Sequence, residues 1–204
     1  MTASASLSHH ADTRSVEILD RVRHAFAEKG FDGASMQDLA RAAGMSVGNF
    51  YRYFPSKAAI VEGLIARDLQ EIEQEFGAIT ASSDPKAALR DAILRHMNSD
   101  HCEGQMMAEI NAAALRKPEL GAIVAQMEIH VIRYLTGIFA QITGLSQDVC
   151  ESRFQPHALL LIMLVKAAAT RPEQDATQRA HLTALIQRTI DRTLDDVVAE
   201  ASKG

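Results

Sequence analysis

The sequence has no tryptophan, two cysteines, three tyrosines and five prolines among its 204 residues. Aromatics come to 5% and glycines to eleven. Strand-built folds draw on aromatic and β-branched residues and on frequent turn residues, so this poverty argues against a β-sandwich or barrel. Cys102 and Cys150 are too few for a disulfide scaffold or a four-cysteine zinc site. The longest apolar run, Ala158 to Val165, falls well short of the ~18 residues of a membrane span. Met1 to His10 lacks the charged start and apolar stretch of a secretory signal. There is no His-Glu-x-x-His pair, no nucleophile elbow and no glycine-rich phosphate loop after a strand. The expectation is a soluble, cytoplasmic protein that is not an enzyme and carries no metal or cofactor.

What is present is ordinary globular composition, 47% hydrophobic and 23% charged, rich in Ala, Leu, Ile, Gln, Glu and Arg. These are helix formers, and the fold expected is all-α. The net charge of -5 is unevenly spread. Residues 1–60 hold 7 Lys and Arg against 6 Asp and Glu, whereas residues 61–204 hold 14 against 20. The acidity therefore belongs to the second part, and the charge of the first permits contact with nucleic acid.

Residues 1–11 read as a flexible arm. From Asp12 onward, Ile18, Val22 and Phe26 recur at helical spacing, and Lys29-Gly30 supplies a cation and a C-cap. Ser35 caps a short helix over 36–43, with Asp38 three residues on. Gly44 stops that helix. Ser46 caps another from Val47 to about Phe54, Pro55 closes it, and Ser56 caps a long helix from Lys57 to about Ile79. Further helices are expected at about 85–98, 103–116, 119–142, 147–170 and 174–200, separated by Asn-Ser-Asp, Lys-Pro, Thr-Gly and Arg-Pro breaks.

The informative stretch is Ser35 to Lys57, S-M-Q-D-L-A-R-A-A-G-M-S-V-G-N-F-Y-R-Y-F-P-S-K. It describes two short helices joined by a glycine turn. Leu39 and Ala40 face inward on the first, Ala43 is small enough for a close crossing, and Phe50 and Phe54 pin the second to the core. Val47, Gly48, Asn49, Tyr51, Arg52 and Tyr53 are left at the surface. Amide, phenol and guanidinium groups on a short exposed helix suit a major groove.

This stretch, with the preceding G-F-D-G-A-S, resembles the helix-turn-helix of the TetR family of bacterial transcriptional regulators. The resemblance is close over roughly residues 12–60 and extends beyond them only in length and helical pattern. It implies an N-terminal three-helix helix-turn-helix DNA-binding domain over 12–57, joined to a helical ligand-binding and dimerisation domain over 58–204. It implies a homodimeric repressor of operator DNA, with Gln37, Ser46, Val47, Gly48 and Asn49 nearest the duplex. Tyr51, Arg52, Tyr53 and Lys57 would be base-reading or phosphate contacts. Tyr51 and Lys57 are assigned to the phosphate backbone and Asn49 or Arg52 to base edges. Gly48 permits close approach to the sugar-phosphate chain.

The resemblance also implies a mostly apolar cavity for a small-molecule effector. Its candidate lining is Met97, Met106, Met107, Asn111, Met127, His130, Tyr134, His157 and Met163, methionine being an adaptable pocket residue. The last two helices are the candidate dimer interface. Residues 159–165 are apolar all round, and Leu182, Leu185, Ile186, Ile190 and Leu194 form a stripe on the final helix. Metal sensing by His96, His101, Cys102 and Glu103 is a competing role for the second part, and it needs the 98–100 loop to bring the two histidines together. The N-terminal motif is also compatible with a helical enzyme, or with an interaction module that does not bind DNA.

Overall fold

A computed structural model describes residues 13–97, 101–169 and 175–203; the arm over residues 1–11 lies outside them. Every regular element among the described residues is a helix: α1 (Thr13–Gly33), α2 (Met36–Ala42), α3 (Val47–Tyr53), α4 (Lys57–Thr80), α5 (Pro85–Met97), α6 (His101–Ala114), α7 (Pro118–Thr143), α8 (Gln147–Ala169) and α9 (Ala176–Ala201). The fold is all-α, as the composition requires.

The helix ends follow from the sequence. Ser35 and Asp38 form a reciprocal capping box: the Asp38 N–H donates to Ser35 Oγ and the Ser35 N–H to Asp38 Oδ2, each at 3.1 Å. Ser46 caps α3, accepting from the Asn49 N–H, and Ser56 caps α4, accepting from the Ala59 N–H at 3.1 Å. Gly30, with φ 70° and ψ 165°, is not helical, so the first helix stops there as the Lys29-Gly30 signal predicts, and a separate short helical turn carries α1 on to Gly33. Pro156 sits inside α8. Its missing N–H leaves the Ser152 carbonyl without a helical partner, and both residues face solvent, where water can replace the bond.

The described residues form two compact units. The first comprises the described residues of 13–71 and 102–127, the second those of 72–101 and 128–203. The first is therefore broader than the helix-turn-helix segment 12–57, because α6 and the start of α7 join it. Its core is built from Ile18, Leu19, Val22 and Phe26 of α1, Leu39, Ala40 and Phe50 of α2 and α3, Ile60, Val61 and Leu64 of α4, and Met106, Ile110, Ala113 and Leu120. Two ion pairs hold α1 against α4. Arg23 Nη2 meets Asp68 Oδ1 at 2.7 Å with both side chains largely buried, and Arg67 meets Asp20.

The second unit has its own core, with Leu89 and Ile93 of α5, Leu135, Ile138 and Phe139 of α7, Phe154 and Leu161 of α8, and Ile190, Leu194 and Val197 of α9. Phe139 and Phe154 meet edge to face at 6.4 Å. Polar pairs join its helices at the rim: Lys166 with Glu128 at 2.7 Å, Arg90 with Asp191, and Glu75 with Arg95 and His96. No helix among the described residues is long and apolar enough to cross a membrane.

Candidate nucleic-acid interface

The turn between α2 and α3 is fixed by backbone chemistry. Gly44 has φ 68°, a conformation that L side chains rarely adopt. Its N–H donates to the Arg41 carbonyl at 3.0 Å and the Met45 N–H to the Ala40 carbonyl at 2.9 Å. This pairing is the Schellman closure of a helix C-terminus. The Ala43 carbonyl takes its bond from elsewhere: Arg21 Nη1, on α1, donates to it at 3.1 Å. Sequence reasoning misses Arg21. Its partner lies 22 residues away, and no local spacing records that.

On α3 only Phe50 is buried, and it meets Phe54 with ring centroids 5.8 Å apart. Those two rings seat the helix. Val47, Gly48, Asn49, Tyr51, Arg52 and Tyr53 are all exposed, Tyr51 at 46%. Gln37 on α2 and the cap Ser46 are exposed as well. Eight of the nine candidate DNA contacts thus stand on the surface of the first unit. Arg52 makes no ion pair or hydrogen bond among the described residues. A Cβ built at Gly48 would meet nothing within 4 Å, so the chain itself gives no reason for a glycine there.

Lys57 is the ninth and differs. It is half-buried, and its Nζ donates to the Phe31 carbonyl at 2.6 Å and the Asp32 carbonyl at 3.4 Å, above the Phe31 ring. Burial pushes its pKa down; Asp32 opposes this and Lys117 adds to it. At the start of α2, Asp38 accepts from Lys29 Nζ at 2.6 Å as well as from Ser35, and these bonds hold its carboxyl far below the usual range.

The candidate effector residues divide between the units. In the first, Met106 is fully buried in the core, Met107 and Met127 are half-buried against it, and Asn111 is half-buried. In the second, Met97 is half-buried against the core, and Tyr134 has its ring 5.0 Å from that of Phe76. Burial, with Glu73 nearby, raises the Tyr134 phenol. His130 is half-buried. His157 stands edge-on to Phe154 at 5.5 Å, and its Nδ1 is buried without a hydrogen-bond partner among the described residues. Met163 is 64% exposed, beside Leu160 at 40%, which is the environment of a surface residue and not of a covered pocket. His96 is engaged, its Nε2 lying 2.7 Å from Glu75 Oε2. The side chains of His101, Cys102 and Glu103 lie outside the described residues, and so does the 98–100 loop.

Comparison with known proteins bears on the same segment. The family model described as bacterial regulatory proteins, tetR family, matches residues 18–64, which run from the second turn of α1 to the first turns of α4. The chain is 22% identical over 130 residues to the transcriptional regulator UidR of Escherichia coli, covering 64% of this chain and 66% of that protein. It is 36% identical over 90 residues to the transcriptional regulator EthR of Mycolicibacterium smegmatis, covering 43% of this chain and 42% of that one. These matches span at most about two thirds of either relative. The fold extends further: Salmonella enterica GusR superposes with a TM-score of 0.74 at 23% identity, over 92% of this chain and 98% of that one. The curated relatives regulate transcription and are not enzymes, and the family match falls on the capped, glycine-turned pair of helices whose outer face is bare. On this basis residues 18–64 carry the helix-turn-helix of the tetR family of bacterial regulatory proteins, which the chain as a whole resembles in fold.

Proposed function

We propose that the protein binds palindromic operator DNA as a homodimer, represses transcription, and is released by a small-molecule effector. The observation that carries this is α3: a helix seated by two phenylalanines on one side and bare on the other, presenting an amide, a guanidinium and two phenols. Residues 12–57 are the DNA-reading domain and 58–204 supply effector binding and dimerisation. Asn49 and Arg52 read base edges, as amides pair with adenine and guanidiniums with guanine. Tyr51, Tyr53, Ser46 and Gln37 serve the backbone, and Val47 and Gly48 allow the close approach. Lys57 keeps two of its three N–H donors on the Phe31 and Asp32 carbonyls and offers the third to a phosphate when it clamps the strand.

Two copies place their α3 helices in successive major grooves, ~34–36 Å apart. The interface lies on α8 and α9, where Leu160, Met163 and Leu185 are exposed. Met163 thereby belongs to the interface and not to the effector lining. The effector is a largely apolar molecule, and the unpaired Nδ1 of His157 offers it one polar contact. Release requires that the effector bind the DNA-incompetent conformation more tightly than the competent one.

The test is selection from a random duplex library, followed by titration of the recovered sequence at two salt concentrations. The expected result is a palindromic consensus whose affinity falls steeply with salt. No enrichment, with weak binding indifferent to salt, overturns the repressor reading in favour of an interaction module.

A further inference from the structure

Three chain segments of the first unit meet at Asp32, on the turn that follows Gly30. Its main-chain carbonyl, with that of Phe31, accepts from Lys57, the first residue of α4. Its carboxylate accepts from Arg116 Nη2 at Oδ2 and from Lys117 Nζ at Oδ1, both at 3.0 Å. Both of those cations lie on the connector between α6 and α7. Arg116 also donates from Nη1 to the Ala112 carbonyl at 2.9 Å, so one guanidinium closes the end of α6 and holds Asp32. Lys57 and Lys117 both stand over the Phe31 ring, 4.7 and 5.7 Å from its centroid. Two turns back along α6, the Glu109 carboxylate lies so close to Gly30 that a Cβ there would come within 2.6 Å of it.

The contact is continuous with the core beneath, where Met106, Ile110, Ala113 and Leu120 pack with α1 to α4. The α6–α7 connector is thus fastened to the DNA-reading helices by apolar packing below and by one carboxylate above. Among the described residues, Asp32 is the only acidic group paired with Arg116 or Lys117. Lys117 and then Arg116 hold its pKa below the usual range. With Asp32 neutral, Arg116 and Lys117 would lose the carboxylate they share, and the turn bearing the Lys57 contacts would lose its side-chain anchor.

We propose that Asp32 is a positioning residue for DNA binding, fixing the start of α4 and the α6–α7 connector on one turn so that α3 is presented in a single orientation. This role rests on the DNA-binding reading above. It also predicts a sign opposite to that of plain electrostatics. Deleting a negative charge beside a DNA-binding face should tighten binding, whereas loss of positioning weakens it.

The experiment uses the full chain and the operator recovered by selection, beside a scrambled duplex. Asp32→Asn is expected to weaken operator binding about two- to thirtyfold, the most that the loss of two exposed ion pairs can transmit. It should keep its affinity for the scrambled duplex, and Asp32→Glu should restore part of the loss. In a chain carrying Arg116→Gln and Lys117→Gln, adding Asp32→Asn should change operator affinity by less than about twofold, because the partners are already gone. Equal or tighter operator binding by Asp32→Asn overturns the proposal, as does full additivity with the partner substitutions. A parallel loss on both duplexes, tracking a fall in melting temperature, would reduce Asp32 to a stabilising role and overturn it too. A wild-type chain that selects no sequence overturns the DNA-binding reading itself, and this role with it.

Discussion

Arg21 on α1 donates to the carbonyl of Ala43, the residue that ends α2, and so fixes the turn that delivers α3. The guanidinium also lies 3.2 Å from where a Cβ on Gly44 would stand, so it fills the space beside the turn. Arg21→Ala should therefore cost about 1 kcal/mol of stability, lowering the melting temperature by roughly 2–4 °C. It should weaken operator binding by more than the loss of folded protein explains. Removing a phosphate contact lowers the slope of affinity against salt, whereas disturbing a turn does not. Salt titrations of wild type and Arg21→Ala decide between these; a slope reduced by about one would make Arg21 a phosphate contact.

Gly48 supplies a second test. It is the second residue of α3, and a side chain there meets nothing in the protein. Alanine is the better helix former, by up to ~1 kcal/mol in a helix interior and less in a first turn. Gly48→Ala should melt at the same temperature or slightly higher, yet bind operator at least about tenfold more weakly, because the methyl group meets the sugar-phosphate chain. Unchanged binding in a gel-shift titration would remove the close approach from the DNA-binding reading.

Much of this architecture is legible in the sequence because local chemistry encodes it. Ser35, Ser46 and Ser56 announce helix starts, Gly44 announces a turn, and the stripe through Ile18, Val22 and Phe26 announces a buried face. A stripe states that a face is covered but not by what. Met106 and Ile110 read as part of a downstream effector domain, yet they complete the core under α1 to α4. Lys57 reads as a phosphate contact at a helix start, and the sequence gives no sign that two carbonyls of α1 hold it. Arg21–Ala43, Arg23–Asp68 and Asp32–Arg116 are separated by 22, 45 and 84 residues. Such pairs leave no periodic trace, so the capped helices are readable and the contacts that orient them are not.

Acid sensitivity should be traceable to the N-terminus of α2. Asp38 accepts from Lys29, from Ser35 Oγ and from the Ser35 N–H, and these bonds hold its carboxyl well below the usual range. A group with a depressed folded-state pKa contributes stability that is fully present above its unfolded value, near 3.9. That contribution is lost as pH falls through the folded one. The wild-type melting temperature should accordingly fall as pH drops below about 4. Asp38→Asn should melt lower at neutral pH and lose less on acidification, so that the two curves converge in acid. Parallel curves would show that Asp38 does not set the acid limb.

The dimer reading places a demand on α8. Leu160 and Met163 are three residues apart, hence on one face, and are 40% and 64% exposed; Leu185 on α9 is 52% exposed. A two-fold interface is self-complementary, so each substitution in it appears twice. Two carboxylates buried without partners oppose association strongly. Leu160→Asp should therefore sediment as a monomer at concentrations where the wild type is a dimer. It should also lose most operator affinity, since one α3 cannot span two half-sites. Leu115→Asp is the control: Leu115 is 89% exposed but lies on the first unit, and its substitution should leave the dimer intact. If Leu160→Asp remains dimeric with full operator affinity, the interface lies elsewhere. A wild-type chain that sediments as a monomer would leave the apolar face of α8 without a second copy to cover it.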